Sequence, residues 1–379
     1  MLMKKVAIIG CGISGLYFAN LLENNELYDY TIYEKKNQIN LTDGYGIQLS
    51  VNSIKLLNEI GFKNIFASKI FFPNKVNFFE AKNCDKICDI DISKFNSEND
   101  RYTTIKRSAL IEFLLSNIPS SKIKKNTELN SIENGEKIKL HLSDNSIEEF
   151  DYVVVADGVF SKTKTTILKK DTSPKFFNSI ALRGNIKSGD ISDIMVFLGS
   201  DFHFVIYPVN QKKELNFISI IRKKFNKKEI LEENLFKSKE LLKSLMDEIC
   251  KKTTFELNAK LENIKIFPIY VSKKFENYNQ KNVYFIGDAL FTFPPSFAQG
   301  ASQSIESAKH AHDEIVNNTK NYYKKRRSRI NQVNFRSKLN FFVFHLSNPL
   351  AIFLRKIFIK YLSKNKNFLE IYLGKIYKN

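Results

Sequence analysis

No run of about 20 apolar residues occurs anywhere in the 379-residue chain, and that absence excludes a membrane-spanning helix. Cysteine is scarce too. Its four copies, with Cys84 and Cys88 separated by three residues and no matching histidine pair downstream, build neither a disulfide framework nor a zinc site. The opening segment lacks the basic start, apolar stretch and small-residue cleavage site of a signal peptide. A reducing, cytoplasmic setting is expected. Acidic residues number 40 against 59 Lys and Arg, which leaves a net charge of +19. Clustered lysines can hold nucleic acid, but no RNA-binding aromatic signature or DNA-reading helix accompanies these, and lysine is spread over every segment. We read the charge as a compositional bias whose field favours anionic cofactors and substrates, with no nucleic-acid partner. At this length two domains, or one large domain with an inserted layer, are expected.

What the chain does contain begins almost at its first residue. Lys4 to Ile9 reads as a buried parallel strand, Ser14 to Glu23 has apolar residues at helical spacing, and Tyr30 to Tyr33 is a second strand closing on Glu34. Between the first strand and the helix lies Gly10-Cys11-Gly12-Ile13-Ser14-Gly15. Gly10 permits the tight turn, Gly12 lets a pyrophosphate approach bare backbone, and Gly15 lets helix and strand pack closely. The helix start offers free N–H groups and the positive end of its dipole to phosphates. Glu34, 19 residues after Gly15, is placed to accept from adenosine ribose hydroxyls. This unit alone does not separate FAD from NAD.

Further on, Asn52 opens an apolar helix to Ile60, capped by Gly61, and Val76 to Ile92 is polar and strand-like. Arg107 precedes the helix Ala109 to Leu115, and alternation around Ile138 to Leu142 predicts an antiparallel meander. Tyr152 to Ala156 is another buried strand, ending on Asp157-Gly158. Runs at 179–182, 194–198, 202–207 and 216–221 read as an antiparallel sheet, followed by a charged helix over about 237–251. Val283 to Ile286 is buried again, ends on Gly287-Asp288, and leads through a proline turn and Gly300 into a helix over 302–316. The expected fold is α/β: a Rossmann-like domain for a dinucleotide such as FAD (1–71, 101–171, 273–335), an inserted, mainly antiparallel substrate domain (72–100, 172–272) and a helical tail (336–379).

On these residues the chain resembles the flavoprotein aromatic hydroxylases of the para-hydroxybenzoate hydroxylase fold, in their salicylate hydroxylase-like branch. The likeness covers nearly the whole length. It rests on the first glycine turn, on Ala156-Asp157-Gly158 with Ser161 and Lys164, and on Gly287-Asp288-Ala289, Pro295 and Gln299-Gly300-Ala301. The branch-level signs are Gly46-Ile47-Gln48-Leu49 with Asn52, Ala181-Leu182-Arg183-Gly184, Gly199, and His203 to Pro208. The resemblance implies FAD contacts from Gly10, Gly12, Ser14, Gly15, Glu34 and Lys35, from Gln48, Arg107, Asp157 and Gly158, and from Gly287, Asp288, Pro295, Gln299, Gly300 and Ala301. No metal is implied. The chain departs from the family at Phe291, where histidine is usual, at Ser302 for asparagine, at Ala298 for glycine and at Lys164 for arginine.

The same resemblance implies an NAD(P)H-dependent monooxygenase in which reduced FAD and O2 form a C4a-hydroperoxide that hydroxylates a small, salicylate-like aromatic. His203 and Tyr207, four apart on a strand and so on one face, are its expected catalytic pair, holding a phenol or taking its proton. No second dinucleotide fingerprint appears, so NADH or NADPH is expected to bind transiently, and the protein to be a monomer or homodimer. Three other readings stay open: hydroxylation of a quinone precursor at a membrane, a flavin reductase or oxidase, and a non-catalytic flavin sensor. The apolar tail from Phe341 to Leu362, studded with Lys356 and Lys360, suits a helix pair packed on the FAD domain or peripheral membrane contact.

Overall fold

The computed structural model describes residues 3–39, 41, 45–186, 190–232, 234–257, 261–278 and 280–378. Its first layer is a parallel five-stranded sheet built around β1 (Lys4–Ile9). This strand pairs in parallel with β2 (Tyr28–Glu34) on one side and β12 (Tyr152–Val155) on the other. β18 (Val283–Phe285) extends the sheet beyond β12, and β8 (Ile123–Lys125) extends it beyond β2. Val6 to Ile9 are buried, as a strand covered on both faces requires, which is why their sequence is uninterruptedly apolar. Helices α1 (Ile13–Leu22), α3 (Arg107–Ser116) and α8 (Gly300–Val316) contribute Leu16, Leu110 and Ile305 to the same core. The predicted meander forms as β9 (Leu129–Asn134), β10 (Ile138–Leu142) and β11 (Ile147–Phe150). It packs on the core through Phe150, which meets Tyr33 edge to face.

The second sheet has seven strands, antiparallel except at one pairing. Its order is β17 (Leu261–Val271), β13 (Lys175–Ile186), β16 (Leu215–Arg222), β15 (Phe202–Pro208), β14 (Ile194–Leu198), β5 (Lys75–Glu80) and β6 (Lys86–Asp91). The polar stretch at 76–92 is thus a hairpin that joins this sheet through the parallel β14–β5 pairing. Along β15 the side chains alternate. Phe202, Phe204 and Ile206 enter the core shared with Leu245 and Ile249 of α6 (Lys239–Cys250), while Tyr207 joins Leu198 and Phe344 on the opposite face. A small third sheet of β3 (Gly46–Leu49), β7 (Thr103–Lys106) and β4 (Ile70–Phe71) bridges the two large ones. The N–H of Gly46 donates to Asn216 on β16 (2.6 Å), so β3 lies on the seven-stranded sheet, where any Cβ at position 46 would strike Asn216.

The tail differs from expectation. Helix α9 (Tyr322–Phe344) does lie against α8 and the turn at Pro295–Phe297, but α10 (Pro349–Leu362) packs beside β6 of the seven-stranded sheet. There Arg355 donates to Glu80 of β5 (3.1 Å), both buried. The sequence shows the apolar residues of this helix but not an anchor 275 positions away.

Candidate active site

All four acid or glycine motifs fall at the carboxyl edge of the parallel sheet, the place where open α/β sheets hold ligands. Gly10 follows β1 at φ +109°, and a Cβ there would meet the Ala156 carbonyl oxygen after β12 at 2.5 Å. A Cβ on Gly15 would collide with the Gly10 carbonyl oxygen, so α1 and the turn touch backbone to backbone. Gly12 is different. It is the N-cap of α1, no side chain caps the helix, and nothing lies within 4 Å of the position its Cβ would take. Open space thus faces free N–H groups at the start of α1, which suits a pyrophosphate.

Glu34, at the end of β2, accepts from the Cys11 N–H (3.0 Å) and the Lys36 N–H (3.0 Å), which fixes its carboxylate beside the turn. Cys11 is buried, and burial with the nearby Glu34 charge pushes its thiol up to about 12. Lys35 is exposed and Ser14 is buried against Gly287. Asp157 accepts from the Thr163 N–H (3.3 Å), but its Oδ1 is buried without a partner, and burial raises its pKa. Gly158 beside it faces open space.

Gly287 donates its N–H to Ser307 of α8 (2.8 Å). Asp288, next to it, is half-buried. Desolvation pushes its carboxyl up to about 6 against the opposing pull of Arg107 and Lys164. Pro295 opens the turn before α8, Gln299 is the buried N-cap whose Nε2 donates to Ser50 (3.1 Å), and Gly300 and Ala301 form an uncapped helix start. Behind them stands a network that sequence reasoning missed. Ser302 lies 2.9 Å from the Ser53 hydroxyl and 3.0 Å from that of Ser50, and Asn52 donates to the buried Glu306 (3.0 Å). Glu306 is in turn clamped by Arg326 (2.6 Å) and Arg329 (2.9 Å) from α9. Serine at position 302 therefore still positions the start of α8. The spacing of Glu306 gave no signal, because its partners come from a different helix.

An orphaned buried carboxylate oxygen, two uncapped helix starts, and carboxylates at the ends of β2 and β18 fit the phosphates, ribose and ribitol of FAD. Asp288→Ala should weaken FAD retention by about 1.5 to 3 kcal/mol, the loss of one charge-assisted acceptor, read by titrating apoprotein with FAD. In the wild type, affinity should fall as pH drops through about 6, because the charge-assisted bond to a hydroxyl needs the ionised form of Asp288. Ala298 makes a separate point. It holds φ +51° where the family's glycine is usual, so Ala298→Gly should raise the thermal midpoint by about 1 °C by removing left-handed strain.

The second half of the site lies where the three sheets meet. Gln48 on β3 accepts from the Tyr102 hydroxyl (2.8 Å) and stands by Tyr207. Arg107 starts α3, its backbone N–H donating to the Tyr45 carbonyl (2.8 Å), and among the described residues it forms no ion pair. Arg183 was quoted for the family likeness but not expected in the site. Its guanidinium lies 5.9 Å from the ring centres of both Tyr45 and Phe267, with Tyr207 and Arg107 as further neighbours. Burial lowers its pKa, and no carboxylate among the described residues is named as acting on it.

The structure keeps His203 and Tyr207 on one face of β15 but gives them different company. Four residues of strand separate them by about 13 Å. Nε2 of His345 lies 2.9 Å from Nδ1 of His203 and 3.2 Å from the Ile220 carbonyl. Burial, with the neighbouring His345, holds the His203 pKa well below the ordinary value.

Residues 3–318 match the family described as the FAD binding domain. The chain belongs to that family. Among curated relatives, 6-hydroxynicotinate 3-monooxygenase of Pseudomonas fluorescens is 23% identical over 313 residues, 80% of each chain. A 3-amino-4-hydroxybenzoate 2-monooxygenase of Streptomyces cremeus is 24% identical, over 57% of this chain and 56% of its own. Among solved structures, a Klebsiella pneumoniae HpxO variant complexed with FAD superposes with a TM-score of 0.82 at 15% identity, covering 94% of each chain. A salicylate hydroxylase substrate complex gives 0.77 at 17% identity, covering 100% of this chain and 96% of its own. FAD is therefore the cofactor of this FAD-binding protein, and its fold is that of the flavoprotein aromatic hydroxylases.

Proposed function

We propose that this flavoprotein uses NAD(P)H and O2 to hydroxylate a small, anionic, salicylate-like aromatic. The observation that carries the substrate class is Arg183, a half-buried guanidinium with no carboxylate partner among the described residues, flanked by the rings of Tyr45 and Phe267 and by Tyr207. A desolvated cation left unpaired is costly, and an anionic ligand would satisfy it. Bound FAD supplies the redox chemistry and the activation of oxygen. The chain's own residues do the rest. Arg183 holds the substrate's charge, the Tyr207 hydroxyl orients its ring substituent, and the aromatic walls exclude water. Burial keeps Tyr207 protonated, so it acts as a donor and relay rather than as an anion.

Among the described residues no helix is long and apolar enough to cross a membrane, and all four cysteines are unbridged, in keeping with the cytoplasm as the proposed compartment. The test is a panel of hydroxylated aromatic acids, phenols and N-heteroaromatic acids, scored by product mass under labelled O2. One labelled oxygen in an aromatic acid is the expected result. Substrate-independent NAD(P)H oxidation with peroxide as sole product would instead make the protein a reductase or oxidase, and no NAD(P)H oxidation at all would leave the sensor reading.

A further inference from the structure

The net positive charge is not evenly balanced along the chain. Between Ile315 and Leu369 there are 13 lysines and arginines and not one aspartate or glutamate. Arg326, Arg329, Arg336 and Arg355 of this segment are buried and bound to Glu306, Glu80 or backbone carbonyls. Of the remaining nine, Lys356 also reaches Glu80 (3.6 Å), and the other eight carry charge outward.

The same segment turns its apolar side to solvent. On α10, Leu350, Phe353, Leu354, Ile357, Phe358 and Tyr361 follow one another at spacings of three and one, which places them on a single stripe. Each is between 42 and 67% exposed, whereas the one fully buried residue of this helix is the charged Arg355. An ordinary surface helix would have the reverse arrangement. Phe335, Leu339 and Phe342 repeat the pattern on α9, also exposed. Large apolar side chains exposed side by side along one helix mark an interaction surface. Lys356 and Lys360 border the stripe, and Lys360, Lys364 and Lys366 line one wall of a cleft of about 570 Å³ against Cys88 and Asp89 of β6. Among the described residues these last three lysines pair with no acid, while Asp89 and Asp91 in the opposite wall are paired with Lys86 and Lys94.

We infer that the α9–α10 corner docks on an anionic lipid surface, with the stripe in the acyl boundary and the lysines on headgroup phosphates. Aromatic and aliphatic residues on one face, lysines at its border and too little length to span describe a helix that lies in the interface plane. A second copy of the chain is the poorer occupant. A two-fold contact through this stripe would set the acid-free lysines of one copy against those of the other, whereas anionic lipid complements them. The corner also carries Phe344 and His345, which touch His203, so the docked surface lies one layer from the sheet face that holds Tyr207. This surface stands independently of the reaction proposed above.

The experiment is flotation of the flavin-loaded full chain with phosphatidylcholine vesicles and with mixed phosphatidylcholine–phosphatidylglycerol vesicles, over a series of salt concentrations. Wild type should float with the mixed vesicles only, and less as salt rises. Lys360→Gln with Lys364→Gln should lower the partition roughly 10- to 30-fold. Phe353→Glu with Phe358→Glu should abolish it at unchanged flavin content; if that variant loses flavin, the lysine pair decides. Wild type that stays with neither vesicle overturns the inference. So does a wild-type dimer in sedimentation that the two glutamates dissociate, since the stripe would then join copies of the chain.

Discussion

Gly12→Val is expected to give a folded but colourless protein. Backbone at Gly12 has φ −92° and ψ −175°, open to any residue, and no atom lies within 4 Å of the added Cβ. The fold therefore does not require glycine there. The ligand does, because two methyl groups would stand in front of the first N–H groups of α1, where the pyrophosphate must come. Losing two charge-assisted hydrogen bonds, at about 1.5 to 3 kcal/mol each, lowers FAD affinity by a factor of roughly 10² to 10⁴. The measurement is the flavin-to-protein ratio together with circular dichroism. Gly15→Ala is the contrast, since its Cβ strikes the Gly10 carbonyl oxygen and should damage the fold itself. A yellow Gly12→Val protein with normal flavin content would show that the phosphates bind elsewhere.

Arg183→Ala is expected to cost about 10- to 100-fold in kcat/KM for a carboxylated or phenolate substrate, the value of one charge-assisted pair. Its flavin content should be unchanged. A neutral analogue should be nearly indifferent to the change, so the discriminating readout is the ratio of the two specificities. Arg183→Lys should recover part of the loss, because it keeps the charge but not the planar fork. Equal losses on charged and neutral substrates would mean that Arg183 only props the Tyr45 and Phe267 rings.

The contrast between these two residues shows what a sequence carries. Gly12 belongs to a local unit in which strand, turn and helix are consecutive, so spacing alone locates the glycine turn and the open helix start behind it. Asp157 and Asp288 were legible for the same reason, each closing a short buried strand whose parallel pairing brings it to one edge. Arg183 is a residue in the middle of a twelve-residue strand, and its meaning depends on Tyr45 and Phe267, each more than 80 positions away. His203 shows the same limit. Its strand and its face follow from alternation, but its partner His345 lies 142 residues away at the end of α9, where no local spacing could show it. Glu306 with its two arginines, and Arg355 with Glu80, were invisible on the same ground: buried ion pairs are set by the packing of distant elements.

Cys11 gives the dinucleotide turn a built-in chemical reporter. Its thiol is enclosed between the carboxyl ends of β1 and β2 and the start of α1, and remains protonated far into the alkaline range. Alkylating reagents attack thiolates that they can reach, so native protein should be labelled at Cys84, Cys88 or Cys250, which are partly accessible, while Cys11 is spared. Its enclosure comes from protein atoms alone. Peptide mapping after a short alkylation pulse would therefore separate a variant that has merely lost its flavin from one whose turn has come apart.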